Sequence, residues 1–335
     1  MSEMIFPLVG PAFVIGIVLP SCALFAKCLL LWLEQEPLRR LHVRHLALVA
    51  SSILPLAWLM SAALHQAESS QIAIDCLFDH QARELCFEPG LFALALLLFI
   101  AQRTLSMLRG RAERVATTAV SHSALGARIE RVIAGTAELA ALRSRVRVTA
   151  QRDFAVGTQG IVWPKVVVGE SFAAELADDE LASALGHEAE HVRVRDPLRY
   201  LLVELALALN PLGRRLLEPH AARWYAAREA QCDREAVSRG CAPLPLAQAI
   251  LRAARPAPAV VPLGARDPKL LRFRIDMLLA FAERKPSMTR ATQAPALSLG
   301  VALLALAVLL PHKTSTAALD VLHVSAERAL TFVWD

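Results

Sequence analysis

No internal repeat and no low-complexity tract runs through these 335 residues, which excludes a solenoid, a propeller and a mainly disordered chain. No basic residue precedes the first apolar run, only Glu3, and that run is too long for the core of a signal peptide. A cleaved secretory leader is therefore not expected. Charge of one sign is not in large excess. The 36 basic and 31 acidic residues leave +5, and the surplus sits beside apolar stretches. That distribution fits membrane flanks, so direct nucleic-acid binding is not expected.

Apolar residues are abundant, at 55% of the chain, and they are clustered. Met4 to Ala26 is an uncharged stretch of 23 residues, Leu46 to Leu64 one of 19, and Ala291 to Pro311 one of 21. Each is long enough to cross a bilayer. Pro89 to Gln102 has 14 residues before Arg103 and lengthens to about residue 107 if Arg103 snorkels. These stretches predict four transmembrane helices, at 4–26, 46–64, 89–107 and 291–311. The organisation that follows is a membrane domain over 1–103, an interior domain over 104–290, the fourth span, and a short tail over 312–335.

Orientation follows from the loops. Arg39, Arg40 and Arg44 follow the first span, and Arg103, Arg109, Arg111 and Arg114 follow the third. The loop at 65–88 is acidic, with Glu68, Asp75, Asp79, Glu84 and Glu88 against Arg83. Basic flanks mark the cytoplasmic side. Both termini and the loop at 65–88 are thus expected outside, and residues 104–290 inside. Cys76 and Cys86 fall in the outer loop, where an oxidising compartment permits a disulfide. Cys232 and Cys241 belong to the reducing interior.

Within 104–290 the period of the apolar residues changes. Leu125 to Leu142 repeats at helical spacing. Arg145 to Thr149 alternates, and Phe154 to Gly157 and Lys165 to Gly169 read as two further short strands. A basic amphipathic helix at Arg266 to Glu283 is expected to lie on the anionic inner leaflet. The expected class is an α+β membrane protein whose interior domain is mostly helical with a small sheet.

The chemistry is concentrated in His187-Glu188-Ala189-Glu190-His191, an H-E-x-x-H string in a run that should be helical from Asp178 to Val194. One turn separates the histidines, so both imidazoles project from one face and suit one zinc ion. Glu188 is placed to take a proton from water activated at that ion, the chemistry of peptide hydrolysis. A third ligand is expected downstream. Glu229 is the best candidate, with Asp233 four residues on, able to accept the free N–H of a ligating histidine. Glu204 and Glu218 compete for the ligand role, and Asp196 for the role of Asp233. Cys232 is expected to point away from Glu229 and to pack as a small core residue. Tyr225, His220, Arg223 and Arg228 are candidates to stabilise an oxyanion. The sheet before the zinc helix is expected to offer an edge, at about Phe154 to Thr158, to an extended substrate.

The run from His187 to Pro197, then Asn210-Pro211, then Glu229 to Asp233 with its Glu-x-x-Cys-Asp element, resembles the BlaR/MecR-type membrane metallopeptidases, the antirepressor family. The resemblance is strongest over Val162 to Gly240. It implies a zincin-like peptidase domain with one zinc ion, held by His187, His191 and Glu229. Glu188 is then the general base, and Asp233 orients a ligand. It implies a multi-pass protein of the bacterial cytoplasmic membrane that cleaves a cytoplasmic protein, such as a transcriptional repressor, on an outside signal. Only about 24 residues follow the fourth span, and they carry no acylable serine motif. A penicillin-binding sensor domain is thus not expected, and sensing falls to the outer loop, the tail or a partner protein. More distant HtpX-like membrane proteases share the zinc motif, so membrane quality control is a competing role. A receptor or scaffold that binds a partner through a peptidase fold without turnover is the competing class.

Overall fold

Apolar sequence in the first third produces long helices. A π turn, Val14–Val18, runs into α1, Leu19–Leu33, followed by α2, Leu41–Ser69, and α3, Pro89–Ala112. The structure is a computed structural model, and it describes residues 14–35, 38, 40–69, 89–112, 117–119, 124–151, 154–254 and 268–283. Cys76, Cys86, the expected fourth span at 291–311 and the tail lie outside the described residues. Among the described residues, one helix is long and apolar enough to cross a membrane: Ile15–Leu33, 19 residues with a mean hydropathy of 2.0. Leu41–Ala57 is a shorter apolar stretch within α2.

Two-residue periodicity follows. Strand β1, Thr118–Ala119, precedes α4, Ala124–Ala134, and a 3-10 turn, Ala137–Leu142. Strands β2, Val146–Thr149, β3, Val156–Gln159, and β4, Lys165–Gly169, complete a four-stranded sheet of order β1-β2-β4-β3. Alternation buries Val146 and Val148 of β2 on one face. β2 and β4 run parallel, while β3 returns antiparallel to β4 through a turn at Gly160, whose φ of 89° suits glycine. The expected strand at Phe154 to Gly157 begins two residues later, at Val156. It occupies the sheet edge, with Thr158 opposite Val166.

The rest is helical: α5, Glu170–Glu175; α6, Asp178–Arg193; α7, Asp196–Leu209; α8, Gly213–Ser238; α9, Pro243–Ala253; and α10, Pro268–Glu283. Among the described residues the protein is thus mostly helical with one small sheet. Two buried clusters organise it. Ile129, Val146, Val166, Val168, Leu181 and Leu185 pack α4, the sheet and α6 together. Ala23, Leu30, Leu48, Val203, Leu217 and Trp224 join α1, α2, α7 and α8.

Three polar contacts pin that second group. The Ser52 hydroxyl donates to the Ala206 carbonyl at 2.7 Å, satisfying an acceptor in the last turn of α7. Asn210 Nδ2 donates to the Leu19 carbonyl at 2.7 Å, and Trp224 Nε1 to the Leu41 carbonyl at 3.0 Å. The apolar α7 therefore packs against α1 and α2. Pro197 lies in its first turn, where the missing N–H has no partner to lose. Helix α10 turns one face to the domain. Its Arg274 and Leu278 are buried against the domain. Leu270, Arg274 and Leu278 are four apart and share one stripe, so that face turns inward.

Candidate metal centre

Helix α6 enters the site with its charges set in advance. Asp178, Asp179 and Glu180 occupy the first turn, where the helix dipole favours acidic groups. Glu180 accepts the Ala177 backbone N–H at 2.9 Å, and Arg128 donates to Asp178 at 2.6 Å. Further along, a Cβ on Gly186 would overlap Cys241 Sγ, so glycine lets the segment after α8 pack directly against the helix one residue before His187. Glu190 points elsewhere, held by Arg193 and by Arg239 Nε at 2.7 Å.

His187 Nε2 and His191 Nε2 lie 3.1 Å apart. Glu229 of α8 faces both rings, its Oε2 3.4 Å from His187 Nε2 and its Oε1 3.5 Å from His191 Nε2. Donor atoms on a tetrahedral zinc at ordinary bond lengths are separated by about 3.3 Å, and each of these contacts is near that spacing. Glu204 and Glu218 have no part in this converging trio, which consists of His187, His191 and Glu229. The histidine side chains are about 8% exposed and Glu229 is 19% exposed, so the carboxylate side opens toward solvent.

Each imidazole has its own carboxylate. Asp196 Oδ2 is 2.8 Å from His191 Nδ1. Asp233 Oδ1 is 2.8 Å from His187 Nδ1, as a close ion-pair approach off the ring N–H axis rather than a linear hydrogen bond. Both contacts favour a proton on Nδ1, which turns the Nε2 lone pairs toward each other and toward Glu229. Three acceptors within 3.5 Å of one another need a cation between them. The donor set therefore fits zinc.

Each carboxylate in turn has an arginine. Arg274 of α10 grips Asp233 with both nitrogens, at 2.6 and 2.8 Å, and its third nitrogen is 3.4 Å from Glu229 Oε2. Arg228 Nε donates to Asp196 at 2.7 Å. Asp196 reaches His191 because Arg195, at φ 56°, turns the chain between α6 and α7 in a single left-handed residue. A second trio, His191, Asp196 and Cys232, also converges, but Arg228 already supplies its cation.

The charges shift accordingly. Burial alone would lower the His187 and His191 pKa values; Asp233, then Glu229, outweigh it at His187, and Cys232 and Tyr200, ahead of Glu229 and Asp196, outweigh it at His191, so both are raised, His191 the more strongly. Burial would raise Glu229, Asp233 and Asp196. The histidines and arginines around them outweigh that and hold all three below the usual carboxylate range. Burial pushes the Cys232 thiol up to about 11, so it is a neutral packing group. It is fully buried, the small core residue that the sequence predicts, and its sulfur lies 3.5 Å from His191 Nδ1, against the His191–Asp196 contact.

The sequence-derived oxyanion candidates separate. His220 Nδ1 and Arg223 Nη1 each lie 2.8 Å from Glu34, at the end of α1, away from the histidines. Arg228 is committed to Asp196. The Tyr225 ring packs edge-on against Tyr200 at 5.0 Å. It is Tyr200 whose hydroxyl approaches Glu229 Oε1, at 3.4 Å. Glu188 follows His187 on α6, and the Thr158 hydroxyl of β3 donates to its Oε2 at 2.7 Å.

Sequence reasoning missed Arg274, Tyr200 and Thr158. Arg274 left one signal, a cation on the stripe shared by Leu270 and Leu278. Thr158 and Tyr200 left none, because both meet the site through tertiary contact. In the comparisons with known proteins, no family model, no curated protein and no solved structure matches this chain.

Proposed function

We propose that the protein is a membrane-anchored zinc peptidase acting on a cytoplasmic protein. One observation carries the reading: two imidazole Nε2 atoms and a carboxylate converge within 3.1–3.5 Å, with Glu188 beside them in the sequence. His187, His191 and Glu229 would hold the ion, leaving a fourth position for water or substrate. When bound, zinc supplies a Lewis acid for the scissile carbonyl and lowers the pKa of water. Glu188 takes a proton from the attacking water and returns it to the departing amine. Asp196 and Asp233 keep the Nδ1 protons in place, and Arg228 and Arg274 keep those carboxylates ionised. The free edge of β3 is suited to an extended peptide, which would pair by backbone hydrogen bonds with little side-chain preference.

Membrane attachment is supported by the 19-residue apolar helix and by its exposed Leu24, Phe25, Leu31 and Trp32. The multi-pass arrangement, with both termini outside and four spans, extends this from the apolar stretches of the sequence. The regulatory role rests on the resemblance to antirepressor peptidases, with a repressor as the substrate class. Metal analysis of the purified protein tests the centre, with one zinc per chain expected and His187→Ala as control; absence of zinc in the unsubstituted protein overturns it. Comparative proteomics of cells carrying the unsubstituted protein or Glu188→Ala would then show the substrate as a protein that accumulates in the variant. No accumulating protein would remove the hydrolytic reading and leave a binding role.

A further inference from the structure

Glu188 is the group on which the proposed chemistry turns, and one of its carboxylate oxygens is already engaged. Thr158 Oγ1 lies 2.7 Å from Glu188 Oε2 and 3.3 Å from the Glu188 backbone carbonyl. A hydroxyl has one proton, so the shorter contact takes it. Hydrogen bonds to an ionised acceptor are about twice as strong as neutral ones. The bond fixes one oxygen of Glu188 and leaves the other, Oε1, for a proton from water.

The placement of Thr158 gives this contact a second property. Thr158 lies on β3 at the edge of the sheet, paired to β4 on one side. Its neighbour on the same face, Val156, packs against the cluster beneath α6, so that face of the strand is held toward the helix. The same strand therefore offers its free edge to a peptide and its Thr158 side chain to the base. Valine at 158 would keep the branched shape and the strand propensity while removing the donor.

We propose that Thr158 is a positioning residue: its hydroxyl holds Glu188 in the orientation that accepts a proton, and it ties that orientation to the strand along which substrate would lie. The inference rests on the zinc-peptidase reading. It is tested on the full-length protein in detergent with a peptide hydroxamate, a zinc chelator that must hand a proton to the base carboxylate. Hydroxamate affinity and zinc content are measured for the unsubstituted protein, Thr158→Val, Thr158→Ser and Glu188→Gln.

The expected result is that Thr158→Val keeps one zinc per chain and binds the hydroxamate about 10-fold more weakly, as loss of a hydrogen bond to a charged group predicts. Thr158→Ser should stay within about twofold of the unsubstituted protein, because serine restores the donor. Hydroxamate affinity unchanged in Thr158→Val, beside a clear loss in Glu188→Gln, would overturn the role of Thr158 and leave the peptidase reading intact. Loss of zinc in Thr158→Val would overturn it too, by making the residue a structural one. An unsubstituted protein without zinc, or one whose hydroxamate affinity ignores Glu188→Gln, would overturn the peptidase reading and this inference together.

Discussion

At the scale of single residues, the candidate centre separates three tasks that four substitutions can test. Glu188→Gln keeps size but cannot accept a proton at neutral pH, so it should retain zinc and lose at least about 100-fold in hydrolysis. Glu229→Gln removes an anionic ligand and should lower zinc affinity itself. Asp196→Asn and Asp233→Asn leave the ligands in place but loosen the rings, and should weaken zinc by about 10–100-fold. Zinc occupancy and cleavage measured on the same samples sort these cases; full cleavage by Glu188→Gln would contradict its assignment. Acidity acts on the same residues. With no metal, both histidine pKa values are raised in the fold, so their contribution to stability is complete below the ordinary imidazole pKa near 6.5 and fades as pH rises through the raised values. Metal needs the imidazoles neutral, so its affinity moves the other way. The depressed carboxylates titrate below this range and do not alter the sign. The gain in Tm on adding zinc should therefore grow between pH 6 and pH 8, and a gain that shrinks would refute the assignment of the histidines as ligands.

At the scale of elements, the zinc helix and the Glu229 helix were legible because their chemistry is periodic. His187 and His191 are one turn apart, as are Glu229 and Asp233, and a helix turns such spacing into a shared face without help from the rest of the fold. Strands β2 to β4 were legible too, through the alternation of Val146 with Val148 and the valine run of β4, whereas the two-residue β1, Thr118–Ala119, falls in a region whose sequence reads as helical. The partners of Glu229 were not, since nothing in the spacing of α10 says that Arg274 travels to Asp233. That helix reads as a basic surface segment until a buried acidic group is found to meet it. The contact makes α10 part of the candidate metal centre. Arg274→Met would leave the buried charge of Asp233 with His187 as its remaining ionic partner, at a cost of about 3 kcal/mol. Arg274→Lys should recover only part of this, since an ammonium cannot make the two-nitrogen contact. Denaturant unfolding of the metal-free protein reads the difference, and equal stability for all three would show that α10 does not dock in solution.

At the scale of the whole molecule, the described N-terminal helices and the candidate metal centre pack against one another. α1 and α2 contribute directly to the cluster that holds α7 and α8, and Glu34 at the end of α1 receives His220 and Arg223 of α8. The charges of the sequence loops carry a separate prediction, of which thiols see the outside. In intact cells an impermeant maleimide should leave Cys232 and Cys241 unlabelled, and should reach Cys76 and Cys86 only after reduction; free labelling of the latter pair without reductant would exclude the disulfide. Finally, the charges around the metal have a sum. Glu229, Asp196, Asp233 and Glu188 bring four carboxylates, while Arg228, Arg274 and Arg199 return three positive charges. The two buried histidines, whose pKa values are raised, are the groups that take up protons there when metal is absent. On the proposed reading, zinc would displace those protons, and the centre would act as an exchanger of hydrogen ion for metal. Its charge balance is set by α6, α7, α8 and α10 together, so the five-residue string that first draws attention to the site is the smaller part of its make-up.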